Sequence, residues 1–94
     1  MKARIRVTKK DIEKGEANEY RSCPVALALQ RRGFEDVSVH IDRFYLVAHA
    51  PTRLSKRTRE FVRDFDDGME VKPFSFTIND PWLRKDSNGK LYFA

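Results

Sequence analysis

The chain has 94 residues, 40% of them hydrophobic and 35% charged, with seven Phe. That is enough for one domain with its own core; it excludes a two-domain arrangement and a disordered chain. The formal net charge of +5 favours anionic partners such as nucleic acid, an acidic protein or a phosphate, although such a charge also serves solubility alone. Cys23 is the single cysteine, so an internal disulfide is excluded, which fits a reducing compartment.

The N-terminus carries no apolar leader segment, and the longest largely apolar run, Cys23 to Leu29, is too short to span a bilayer. A cytoplasmic protein with no membrane partner is the expectation. Residues 2–7 alternate, with Lys2, Arg4 and Arg6 on one side and Ala3, Ile5 and Val7 on the other. This pattern predicts a half-buried strand. Thr8, with Asp11 three residues on, predicts the start of a short helix that Gly15 ends. Residues 16–21 read as a polar loop.

Ser22 is the expected N-cap of the next helix, with Pro24 in its first turn and Gly33 just past its end. The run Val25 to Leu29 is apolar on nearly every face, which predicts a deeply buried helix. Val37, Val39 and Ile41 then alternate with Ser38, His40 and Asp42, and Phe44, Leu46 and Ala48 with Tyr45, Val47 and His49. A two-residue turn at Asp42-Arg43 would pair Ile41 with Phe44 and Val39 with Leu46, placing both apolar sets on one face. Pro51 breaks the strand. Ser55 is the expected cap of a helix reaching about Asp66, with Leu54, Phe61, Val62 and Phe65 as its apolar stripe and Gly68 as its stop. Pro73 opens a strand in which Phe74, Phe76 and Ile78 alternate with Ser75 and Thr77.

The order of elements predicts an α+β fold: a four-stranded, mainly antiparallel sheet with two main helices on one face, in ferredoxin-like (βαββαβ) order. The rival is a meander of three or four strands with two helices on one side. Residues 1–78 form the expected domain. Residues 79–94 form a C-terminal tail, with Asn88-Gly89 as a turn signal between Trp82-Leu83 and Leu91-Tyr92-Phe93. The tail either folds back onto the core or contacts another chain, and self-association through it is one form of the latter.

The segment Cys23-Pro24-Val25-Ala26-Leu27-Ala28-Leu29, and the stretch from Arg53-Leu54 through Glu60–Asp66 to Pro73–Phe76, resemble respectively the CPxALAL helix and the second half of small uncharacterised proteins of bacteriophages and prophages. The resemblance covers roughly residues 5–78. It implies a phage or mobile-element setting and carries no activity.

No residue pattern compels catalysis. Cys23 would sit at a helix N-terminus, where the dipole favours a thiolate, and His40 or His49 could serve as its base. The competing reading, preferred here, is a small apolar residue filling a buried helix. Two histidines and one cysteine are too few for a convincing metal site. The acids Asp64, Asp66, Asp67 and Glu70 lack calcium-loop spacing, and the four glycines are isolated, so no phosphate-cradling loop is present. No enzyme activity and no cofactor are expected.

Two binding surfaces remain. One is the open sheet face, where Lys2, Arg4 and Arg6 would lie beside His40, Tyr45 and His49, an arrangement suited to RNA or single-stranded DNA. The other is the tail, where Trp82, Tyr92 and Phe93 would meet a partner. The first expectation is a small accessory protein that binds a host or phage macromolecule, a protein before a nucleic acid, as an inhibitor or modulator of a host system. The second is a nucleic-acid-binding module using the basic face.

Overall fold

The computed structural model describes residues 1–40, 43–45 and 51–94, with the side chains of Arg43 and Tyr45 outside that description. The alternation at the N-terminus produces β1 (Lys2–Val7), whose odd-numbered residues are buried and even-numbered residues exposed. It pairs antiparallel with β5 (Phe74–Asn79), placing Lys2 opposite Asn79, Arg4 opposite Thr77 and Arg6 opposite Ser75. The Met1 amine donates to the Asp80 carbonyl at 2.8 Å, and the Asp80 N–H donates to the Met1 carbonyl at 3.2 Å. Alternation along an antiparallel ladder then turns the backbone groups of Ala3, Ile5 and Val7 toward β5 and those of Arg4 and Arg6 toward the opposite edge.

That opposite edge is covered by arginines. The helix α2 (Pro24–Arg31) ends beside it. Arg31 Nη2 donates to the Arg6 carbonyl at 2.6 Å, and Arg32 Nη1 donates to the Arg4 carbonyl. Guanidinium groups thus occupy acceptors that a neighbouring strand would use, a direct way of blunting a strand edge.

Local chemistry accounts for the helix ends. In α1 (Lys9–Lys14) the Thr8 side chain accepts from the Asp11 N–H at 3.2 Å, while the Asp11 carboxylate accepts from the Thr8 N–H at 2.8 Å. Asp11 is buried and also forms an ion pair with Arg31, which ties α1 to the end of α2. The N-cap of α2 is Cys23, one residue later than the expected Ser22. Pro24 occupies the first helical position, and the residue before a proline is pushed to extended backbone, so Cys23 takes the cap conformation. Val25, Ala26, Ala28 and Leu29 are fully buried. The helix α3 (Lys56–Asp66) is capped by Ser55, whose Oγ accepts from the Thr58 N–H at 3.3 Å. It buries Phe61 and Val62, and Phe61 packs on Phe74 of β5 with ring centroids 4.6 Å apart.

A second ladder joins β2 (Ser38–Val39), β3 (Arg43–Tyr45) and β4 (Thr52–Arg53). Its register corrects the expected two-residue turn: Val39 pairs with Phe44, leaving residues 40–43 between them. Asp42-Arg43 supplies neither the glycine nor the left-handed preference that a two-residue hairpin turn requires. The expected partners Ile41 and Leu46 lie outside the described residues. The pair Thr52-Arg53, directly after Pro51, adds a short strand at the point where the proline is expected to break one.

The third ladder is the hairpin of β6 (Leu83–Lys85) and β7 (Leu91–Phe93). Its turn is closed by the Asp86 carboxylate, which accepts from the N–H groups of Asn88 and Lys90, each at 2.9 Å. Leu83 and Leu91 are buried, and Phe93 stacks on Phe34 at 5.4 Å. The Leu91 N–H donates to the Arg32 carbonyl at 2.8 Å. The fold is therefore α+β, built among the described residues from three separate antiparallel sheets. The single four-stranded sheet of the ferredoxin-like order is not among them, and guanidinium groups stand at the β1 edge where its central pairing would form.

Candidate functional site

The exposed side of the β1–β5 ribbon is a ladder of three rungs. Each rung sets a cation on β1 opposite a neutral hydrogen-bonding residue on β5: Lys2 with Asn79, Arg4 with Thr77, Arg6 with Ser75. A groove of about 610 Å³ lies at its Arg4–Arg6 end, lined by Arg4, Arg6, Arg32, Phe74 and Ser75 among others. Arg31–Asp11 is the ion pair found among the described residues, and Lys2, Arg4, Arg6 and Arg32 have no carboxylate partner there. Arg32 is not among the candidate residues that the sequence pattern singles out. A basic residue just before a helix-ending glycine is the signal that could have drawn notice to it.

The structure does not bring His40 to this ribbon. His40 lines a different cleft, of about 320 Å³, shared with Tyr20, Cys23, Arg63, Asp66 and Asp67, and the two hollows have no lining residue in common. Its ring stacks on Tyr20 at 5.4 Å, and its Nε2 lies 3.3 Å from Ser38 Oγ. Tyr20 sits in the loop before α2. The Val39 N–H donates to the Tyr20 carbonyl at 2.7 Å, and Asn18 holds the loop to Asp66 at the end of α3. The side chain of Tyr45 and all of His49 lie outside the described residues.

Cys23 and His40 do share that cleft, so the chemistry of the thiol decides what it can do. Cys23 is 4% exposed. Burial pushes the thiol up from its ordinary value; the Asp66 carboxylate acts in the same direction, and the backbone N–H groups of Ala26 and Val25 only partly oppose it. A buried, protonated thiol is a poor nucleophile. Native protein should therefore react slowly with iodoacetamide near neutral pH and rapidly once denatured. Cys23→Ala should cost about 1–2 kcal/mol of stability through lost packing. Rapid alkylation of the folded protein would contradict the first expectation, and an unchanged thermal melt of Cys23→Ala the second. Among the described residues no group of three or more His, Cys, Asp or Glu side chains is placed to hold a metal ion, and no helix is long and apolar enough to cross a membrane.

The hairpin offers the second surface. Strand alternation and the pairing of Arg84 with Tyr92 put Trp82, Arg84 and Tyr92 on its outer side. Trp82 is 58% exposed and Tyr92 47% exposed. Phe93, named with them from the sequence, is the exception: it is partly buried and turned inward against Phe34. Arg84 was missed, although carrying the alternation back from the Asn88-Gly89 turn places it beside the two aromatics. Comparison with known proteins gives no match to any family model, to any curated protein or to any solved structure.

Proposed function

We propose that this chain is a non-catalytic binding protein that engages a protein partner through the outer face of its C-terminal hairpin. The observation that carries the reading is the exposure of Trp82 and Tyr92 together, around Arg84, on a hairpin whose inner Leu83 and Leu91 are fully buried. Trp, Tyr and Arg are the residue types that dominate binding energy at protein interfaces. An anchored hairpin presents them already ordered, which lowers the entropy lost on association. The protonated, buried Cys23 supports a function without catalysis. The resemblance of the Cys23–Leu29 helix to bacteriophage proteins suggests the setting: a host cytoplasm, with a host system inhibited or modulated. A second copy of this chain is the other partner this face suits.

Trp82→Ala and Tyr92→Ala should each leave the fold intact, because both side chains stand in solvent. Each should weaken capture of the partner from nuclease-treated host lysate by roughly thirtyfold, the loss of about 2 kcal/mol typical of a truncated anchor. Sedimentation of the wild-type protein distinguishes self-association from a foreign partner. Partner capture that survives both substitutions would remove the hairpin face from consideration.

A further inference from the structure

We infer that the groove along the β1–β5 ribbon binds the phosphate backbone of single-stranded nucleic acid, with Arg4, Arg6 and Arg32 as its guanidinium contacts and Lys2 extending the track. Successive rungs are two strand residues apart, or about 6.6 Å. A repeating cation at that spacing suits a polymer with a regularly repeating negative charge. The side chains opposite, Asn79, Thr77 and Ser75, are neutral hydrogen-bonding groups of the kind that accompany Arg and Lys at phosphates and sugars. Arginine adds a planar fork that can grip a phosphate through two N–H groups.

Three observations select this occupant. The cations lining the groove lack carboxylate partners among the described residues, so the field is not cancelled within the protein. Arg32 is held in place by its bond to the Arg4 carbonyl, so one of the cations is pre-ordered. The aromatic in the groove, Phe74, is 8% exposed, with the Arg57 guanidinium 5.7 Å from its ring centre. Its face is not open for stacking a base. Binding should therefore come from charge neutralisation, be tolerant of base sequence and fall steeply with salt. A docked acidic peptide is the competing occupant, and it would not share that dependence on a phosphate polymer.

The test is fluorescence anisotropy of labelled oligo-dT and oligo-dA with the full chain as KCl is raised. Phosphate contacts from Lys2, Arg4, Arg6 and Arg32, four in all on a single strand, give a slope of log affinity against log salt of about −3. The variant Lys2→Gln/Arg4→Gln/Arg6→Gln should flatten that slope by about 2, with an unchanged thermal melt because all three side chains are exposed. Arg32→Lys, which keeps the charge and removes the fork, should weaken binding while leaving the slope near its wild-type value. Oligo-dT and oligo-dA should bind with similar affinity. Absence of wild-type binding at low salt overturns the assignment, as does an unchanged slope in the triple variant or tighter binding of a Glu-rich peptide than of the oligonucleotides. The hairpin reading is tested by capture after nuclease treatment, so failure of either experiment leaves the other interpretable.

Discussion

Val39→Asp is expected to unfold the domain. Val39 is 3% exposed and pairs with Phe44, itself fully buried, while its N–H is committed to the Tyr20 carbonyl. An aspartate there places a carboxylate at a buried position beside the equally buried Phe44. An uncompensated buried charge costs about 3–5 kcal/mol. A domain of this size has roughly 5–15 kcal/mol in total, so the variant should be largely unfolded or melt far below the wild type by circular dichroism. The adjacent His40→Ala should behave oppositely. His40 is exposed, and its removal gives up the stack on Tyr20, worth about 0.5–1.5 kcal/mol. A stable Val39→Asp together with a collapsed His40→Ala would invert the faces of β2.

The contrast between faces and register shows what a sequence can carry. Period-two alternation puts Val37, Val39 and Phe44 on the buried side, and all three are buried. Alternation says nothing about how far two strands slide past each other by an even number of residues. Only the turn chemistry of residues 40–43 could have supplied that, and it contains no glycine or asparagine. Helix ends were legible because caps are local: Thr8 and Ser55 act where their side-chain oxygens reach the first turn. Cys23 displaced Ser22 by the equally local effect of Pro24, which can be read once the proline is given precedence over the serine.

The basic groove was only half legible. Lys2, Arg4 and Arg6 declare themselves by alternation, and Ser75 and Thr77 by the same rule. Arg31 and Arg32 reach β1 through bonds to backbone carbonyls 25 and 28 residues earlier in the chain. Such side-chain-to-backbone contacts follow no periodicity, so neither the covered strand edge nor the contribution of Arg32 to the groove could be read from spacing. Tyr20 was hidden for a related reason. It lies in a polar loop whose path is set by Asn18 bonding to Asp66, 48 residues away.

Gly33→Ala is expected to loosen the C-terminal hairpin, and Gly68→Ala is the comparison that isolates why. Both glycines have positive φ, 115° at Gly33 and 77° at Gly68. A side chain at either site pays for that backbone conformation, about 1–3 kcal/mol. At Gly68 nothing lies within 4 Å of the added methyl, so the backbone term is the whole cost. At Gly33 the methyl would stand 2.7 Å from Lys90 Cβ and 3.0 Å from the Leu91 backbone nitrogen. That nitrogen donates to the Arg32 carbonyl at 2.8 Å, the bond that seats β7 on the end of α2. Relief of the clash must move β7 outward, breaking this bond and pulling Phe93 from Phe34. The added loss should bring the total for Gly33→Ala to about 3–5 kcal/mol, within the range that strain plus lost core packing produces. At roughly 4–8 °C per kcal/mol, its melting temperature should fall clearly below that of Gly68→Ala. Trypsin should then cut at Arg84, Lys85 or Lys90 under conditions where the wild-type hairpin resists. Equal melting temperatures and equal protease resistance for the two variants would show that β7 is not held against α2, and with it would go the pre-ordering on which the Trp82–Tyr92 face depends.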